Sequence, residues 1–219
     1  LPHDYINYWL TGEKKTEYGD ASGTAYFDVK NRTWAPSILQ AIDDSGKLND
    51  CLPELIESQA PIGIITSEIA KQFHLSPDVI VSSGGGDNMM GAIGTGNVFP
   101  GVVTTSLGTS GTIYSCADKP IIDPKGELAA FCSSSGHWLP LVCTMNVTVS
   151  TELTRTLLGL DIEDMNQKAA SAPVGSGGLT LLPYFYGERT PSLPNAKAVL
   201  YGITGVNYNS ENLCRAAME

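Results

Sequence analysis

Residues 82–96 read SSGGGDNMMGAIGTG and place six glycines around one aspartate and one asparagine. Gly84, Gly85 and Gly86 remove every Cβ ahead of Asp87, so the main chain can turn sharply there and a ligand can come close. The preceding VIVSS, residues 79–83, is a short apolar, β-branched run with the pattern of a buried strand. The small residues and methionines after Asp87 suit a helix. Strand, glycine turn and helix in this order present one carboxylate at the mouth of a cleft.

Two roles for Asp87 follow from the residues alone. As a general base it orients a substrate hydroxyl and accepts its proton during phosphoryl transfer. With a reference pKa of about 3.9 it is ionised at neutral pH and only weakly basic. As a helix N-cap it satisfies free N–H groups at the positive end of the dipole. The glycines do not spell a dinucleotide fingerprint, since GAIGTG has the wrong order, and no G-x-x-x-x-G-K-[ST] loop occurs.

Downstream, VVTTS and GTIYSC read as two strands joined by LGTSG, a hairpin with a glycine-rich tip. The tip within LGTSGT, residues 107–112, gathers N–H groups and hydroxyls that can cradle phosphate oxygens, or it is an ordinary turn. A strand–GGGD–helix unit followed at once by a strand–GTSG–strand unit is much rarer than either piece.

Elsewhere helices and strands alternate. DYINYWL carries Tyr5, Tyr8 and Trp9 at helical spacing and stops at Thr11-Gly12. Ala25 to Val29 alternates like a strand or an extended segment, and Pro36 stands where a first helical residue would be. PIGIITSEIAKQFHL reads as an extended piece and an amphipathic helix, with His74 at the helix end. WLPLVCTM and LTLLPYF are strand-like, STELTRTLLGL and IEDMNQKAAS helical. GERTPSLPNAK is an irregular loop in which a structural Glu188–Arg189 tie is expected, with a contact from Arg189 to substrate as the alternative. Ser210 is the expected N-cap of a last helix. A change of character near residues 97–101 marks a domain boundary.

The chain has 219 residues, 42% apolar and 16% charged, enough for a real core. A net charge of −10 argues against nonspecific nucleic-acid binding or attachment to an anionic membrane. Anionic small molecules remain open, because backbone N–H groups and Mg²⁺ hold phosphates without a basic surface. Cys51, Cys116, Cys132, Cys143 and Cys214 are scattered, which reads as reduced thiols in a cytoplasmic protein. His3, His74 and His137 lack ligand spacing, so no metal site is expected. No apolar run is long enough for a membrane span.

These residues carry a resemblance. LPHDYINYWLTGE, DASGTAYFDVKNRTW, GGGDNMMGAIGTG, SLGTSGTIY, LPYFYGERTP and AVLYGITGVNYNSENLCRAAME follow, in order, the pattern of the FGGY carbohydrate kinases. The resemblance implies an α/β, actin/hexokinase-like (ribonuclease H-like) two-domain ATPase fold. Residues 1–98 would be the later part of the N-terminal, sugar-binding domain and 99–219 the first part of the C-terminal, ATP-binding domain. It makes Asp87 the catalytic base, Asn88 a contact to sugar hydroxyls, and Gly108, Thr109 and Ser110 the ATP phosphate-binding turn. Domain closure would bring γ-phosphate and hydroxyl into line.

The activity implied is MgATP-dependent phosphorylation of a pentulose, D-xylulose first. Ribulose, gluconate and glycerol are alternative acceptors, and a nonenzymatic actin-like nucleotide switch is an alternative of another class. ATP and Mg²⁺ are the cofactors implied and a homodimer the common assembly. The family's D-x-G-T turn would precede Leu1 and its adenosine-binding glycines would follow Glu219. The chain thus resembles an internal fragment, inactive alone. His3 stands where many relatives carry Lys or Arg, which leaves the sugar more open.

Overall fold

The computed structural model describes residues Leu1–Glu219 and divides into two compact units. One comprises residues 1–104 with 114–141, the other 105–113 with 142–219.

The first unit opens with α1 (Pro2–Thr11), started by a proline at its head and ended by Gly12 in the left-handed region at φ 77°. Its aromatic residues do not enter the core: Tyr5 is 71% and Trp9 47% exposed, Trp9 meeting Phe73 edge to face. β1 (Lys15–Glu17), α2 (Tyr18–Ala21), β2 (Phe27–Asp28), β3 (Thr33–Trp34), α3 (Pro36–Ile42), α4 (Lys47–Cys51) and β4 (Glu54–Ile56) follow. β1 pairs in parallel with β4, and β2 antiparallel with β3. The strand expected over 25–29 shrinks to Phe27–Asp28, because Ala25 takes a left-handed turn at φ 68°.

β5 (Pro61–Ile64) leads to α5 (Ser67–Phe73), capped by the Thr66 hydroxyl and ended by His74 in the left-handed region. Ile65, Ile69 and Ala70 form a small core with Leu10, Val79 and Val81. Burying Ile69 there contributes about 2 kcal/mol. β6 (Ile80–Ser82) pairs antiparallel with β5 alone, and Ile80 is 67% exposed. The expected buried strand is therefore a strand but not a buried one, since one of its edges and most of its faces are uncovered in this chain.

After the glycines comes α6 (Asp87–Gly94), then the hairpin of β7 (Val103–Leu107) and β8 (Gly111–Ser115). Residues 117–141 return to the first unit and cover a second core of Ala21, Phe27, Val29 and Cys132. The Arg32 guanidinium lies 4.4 Å over the Trp138 ring there, and the Trp138 indole N–H donates to the Val29 carbonyl at 3.0 Å.

In the second unit β9 (Leu141–Thr144) continues the sheet in the order β7-β8-β9. α7 (Thr148–Leu158), α8 (Ile162–Ser171), an antiparallel pair β10 (Thr180–Leu182) and β11 (Val199–Tyr201), and α9 (Ser210–Met218) complete it. Met165, Ala169 and Cys214 pack at the centre of the helices. The cap of α9 is Asn209, whose side chain accepts from the Asn212 N–H at 2.9 Å, so Ser210 is the first helical residue instead of the cap. All five cysteines are free thiols, with Cys116, Cys132 and Cys214 buried.

Candidate functional site

The turn into α6 is built from its buried side. Ser83 donates its hydroxyl to the Ser58 carbonyl at 2.7 Å, and its own carbonyl accepts the Asn7 amide at 2.8 Å. Of the three glycines that follow, only Gly84, at φ 75°, needs the left-handed region. The others are fixed by close approach. A Cβ on Gly85 would stand 2.8 Å from the Met90 methyl, and one on Gly86 3.1 Å from Asp20 Oδ1. Tight packing, more than torsional freedom, explains the run.

Gly86 occupies the cap position and Asp87 is the first residue of α6, so Asp87 is not the N-cap. Its hydrogen bonds, from the Asn88 backbone N–H at 2.7 Å and the Asn88 side-chain amide at 3.2 Å, both fall on Oδ1. Asp87 is exposed and Asn88 half-buried.

Carboxylates that the sequence did not single out surround the glycine turn. Glu17 is buried and accepts from the N–H groups of Gly19 and Asp20 and from the Ser58 hydroxyl. Asp20 meets His3 Nδ1 at 3.0 Å, and His3 Nε2 lies 3.2 Å from Asp4. No three His, Cys, Asp or Glu side chains anywhere in the chain converge as a metal site.

α6 is tied to the base of the hairpin by Asn97, which is fully buried. Its amide donates to the Tyr114 carbonyl and the Thr104 hydroxyl, both at 3.1 Å, and its oxygen accepts the Cys116 N–H at 3.0 Å. Its backbone N–H closes on the Ala92 carbonyl of α6 at 2.8 Å. Tyr114 is buried against Gly91, and burial, with the Asp87 charge second, raises its phenol above the usual range.

The second group of residues belongs to the other unit. Gly108, Thr109 and Ser110 make a single turn closed by the Gly108 N–H to the Ser110 carbonyl at 2.9 Å. The carbonyls of Gly108 and Thr109 accept from Thr148 at 3.1 Å and Val147 at 3.2 Å, at the start of α7. The tip is thereby seated by its carbonyls. Of its three N–H groups, Gly108's is spent internally, and Thr109 and Ser110 are exposed.

What holds residues 144–146, which lead into the two that bond the tip, is Glu188, 3% exposed. Its carboxylate accepts from the Thr144 hydroxyl at 2.8 Å, the Met145 N–H at 2.7 Å, the Asn146 amide at 3.0 Å and the Arg189 N–H at 2.7 Å. Burial pushes its pKa up, but these bonds, led by the Asn146 amide, outweigh it and bring the group to about 2. The expected Glu188–Arg189 tie therefore runs through the arginine backbone. The guanidinium turns instead to Cys143 Sγ at 3.5 Å. Beside the tip lies a cavity of about 380 Å³ lined by Thr109, Ser110, Cys143, Met145, Tyr186 and Arg189 among others.

The structure thus joins Asp87 with Asn88 on one helix end, and Gly108, Thr109 and Ser110 on one turn. Glu17, Asp20, Asn97 and Glu188 were not legible as site residues, because each also takes a partner distant in the chain: Ser58 for Glu17, His3 for Asp20, Tyr114 and Cys116 for Asn97, and residues 144–146 for Glu188. The short spacing E-x-x-D over Glu17 and Asp20 is the one local signal, a cap followed by its helix.

Comparison with known proteins agrees with the sequence pattern. The FGGY family of carbohydrate kinases, N-terminal domain, matches residues 1–94. A xylulose kinase of Haemophilus influenzae is 52% identical over 219 residues, all of this chain and 44% of that protein. The crystal structure of xylulose kinase from Bifidobacterium adolescentis superposes with a TM-score of 0.84 at 31% identity, over 99% of this chain and 47% of that one. The crystal structure of gluconate kinase from Lactobacillus acidophilus gives 0.88 at 28% identity, over 98% and 44%. The chain spans less than half the length of each of these proteins. Their fold, the actin/hexokinase-like ATPase fold, is the fold of this chain.

Proposed function

We propose, for a chain that belongs to the FGGY family of carbohydrate kinases, that it forms the central part of an ATP-dependent pentulose kinase. The acceptor is D-xylulose and the product its 5-phosphate. Residues 1–98 act as part of the sugar-binding domain and 99–219 as part of the ATP-binding domain, a division supported by the family match ending at residue 94.

The observation that carries the reading is the placing of Asp87. It is an exposed carboxylate at a helix N-terminus, its hydrogen bonds confined to one oxygen. The remaining oxygen can take the hydrogen of a sugar hydroxyl, orient the hydroxyl oxygen, and accept the proton as the bond to phosphorus forms. Asn88 would contact the neighbouring sugar hydroxyls. The N–H groups and hydroxyls of Thr109 and Ser110 would donate to the phosphoryl oxygens at the turn begun by Gly108, with no rearrangement of a tip already seated by its carbonyls.

Mg²⁺ neutralises phosphate charge when bound. No three His, Cys, Asp or Glu side chains of this chain gather as a metal site. A homodimer and a cytoplasmic location belong to the same proposal; no helix is long and apolar enough to cross a membrane.

Gluconate is the second acceptor to weigh, because the gluconate kinase from Lactobacillus acidophilus superposes as well as the xylulose kinases do. Steady-state kinetics of the full-length protein with D-xylulose, D-ribulose, L-ribulose, gluconate and glycerol decides between them. D-xylulose is expected to give the highest kcat/KM, and any other ranking sinks the assignment. Asp87→Ala is expected to lower kcat at least about a hundredfold while ATP still binds. Turnover of wild-type magnitude in that variant would refute the base and favour a nucleotide switch.

A further inference from the structure

We infer that Arg189 binds the polyphosphate of the nucleotide, its guanidinium forming the cationic wall of the cavity whose other wall is the Thr109–Ser110 tip. The inference rests on the reading of that tip as a phosphate site and adds a residue to it.

Cations are scarce in this chain, with 13 Lys and Arg against 23 Asp and Glu, so an arginine without a carboxylate calls for a reason. The other three arginines are committed. Arg32 donates to the Gly136 carbonyl and stacks on Trp138. Arg155 pairs with Glu152 at 2.7 Å, and Arg215 with Glu219 at 2.7 Å. The Arg189 guanidinium makes one weak contact, to a thiol at 3.5 Å, and no ion pair. The neighbouring acid is unavailable to it, since the Glu188 carboxylate is buried and filled by four other donors.

The surroundings of the guanidinium suit an anion. No carboxylate lines the cavity; Thr109 and Ser110 bring donor groups to it, and Met145, Val149 and Tyr186 supply apolar surface that strengthens a charge pair. The backbone of Arg189 is anchored, because its N–H is held by Glu188 at 2.7 Å. The side chain therefore starts from a fixed point beside the tip, and less entropy is lost when it closes on a ligand. A planar five-donor fork matches a phosphate with two parallel bonds, which an ammonium does not reproduce.

The test measures dissociation constants of ATP and adenosine by calorimetry, and KM for the sugar, in the full-length protein with Arg189→Ala and Arg189→Lys. Arg189→Ala is expected to weaken ATP by about 10- to 100-fold, the range of a lost hydrogen bond to a charged group, and to leave adenosine and sugar unchanged. Arg189→Lys should recover only part of the loss, keeping charge without the fork. Unchanged ATP affinity in Arg189→Ala overturns the inference. So does an equal loss for adenosine and ATP, or a loss confined to gluconate or another sugar. Wild-type protein that binds no ATP removes the phosphate reading of the tip and this inference together, whereas the other outcomes leave that reading intact.

Discussion

Replacing Glu188 by glutamine removes one charge from the second unit while keeping its shape. In the folded chain the carboxylate titrates at about 2 against an ordinary 4.5, four donors outweighing its burial. A displacement of about 2.5 pH units at ~1.4 kcal/mol each corresponds to about 3 kcal/mol of stability. Glutamine can keep its oxygen toward the N–H groups of Met145 and Arg189. Its NH₂ then faces the Thr144 hydroxyl, which rotates to accept, and the Asn146 Nδ2, which can be exchanged for the unpartnered Asn146 oxygen only by giving up its bond to the Gly187 carbonyl. Glu188→Gln is therefore expected to cost about 3 kcal/mol near neutral pH.

The sign of the pH dependence follows from the depressed value. The stabilisation is full above the unfolded pKa and is lost as pH falls toward the folded one. The gap between wild type and variant should shrink to about 1 kcal/mol near pH ~3, since glutamine does not titrate. Urea unfolding of both full-length proteins at the two pH values checks this. Far-UV circular dichroism is the suitable probe, because the second unit holds none of this chain's tryptophans, Trp9, Trp34 and Trp138, to report on it by fluorescence. A neutral-pH gap below about 1 kcal/mol, or an equal gap at both pH values, would refute the reasoning.

Two further substitutions test the first unit. Alanine in place of glycine ordinarily improves a helix by about 1 kcal/mol. At Gly91 the new Cβ would stand 2.7 Å from the hydroxyl of buried Tyr114, so Gly91→Ala should instead cost about 1–3 kcal/mol. Adding Tyr114→Phe should recover most of that loss in thermal unfolding; a more stable Gly91→Ala single variant contradicts the contact. Asn97→Ala leaves the Tyr114 carbonyl and the Cys116 N–H buried without their partner, and should cost about 3 kcal/mol. A melting temperature within error of wild type would show that this anchor carries no weight.

Much of the local structure was legible because its causes are local. Gly12 stops α1, Pro36 starts α3 and His74 ends α5, each through a backbone preference of the residue itself. The hairpin around Gly108–Ser110 was legible from β-branched runs on either side of turn residues. Asn209 displaced Ser210 as cap because both side chains can serve and the path of the preceding loop decides. The exposure of Ile80 was hidden for the opposite reason. An apolar run states that a strand can be buried, but its neighbours settle whether it is. Asn97 and Glu188 were hidden as well, most of their side-chain partners lying 17–19 and 42–44 residues away, the exceptions being Thr104 for Asn97 and the next N–H for Glu188.

Glu17 and Glu188 solve the same physical problem in the two units. A functional group must be held in place without being used up, yet an element end carries free N–H groups that demand acceptors. Asp87 or the tip could have met that demand and been neutralised by it. Instead a buried acid supplies the acceptors. Glu17 takes the N–H groups of Gly19 and Asp20, and Glu188 those of Met145 and Arg189. Desolvating a carboxylate is costly and is offset only when several donors converge on it, which also makes each arrangement rigid. The exposed groups beside them, Asp87 with its bonds on one oxygen and Arg189 with no ion pair, keep their charge for a ligand. The buried acids spend theirs on structure, so their loss should loosen the site, while loss of the exposed pair should leave the fold intact and remove binding or chemistry.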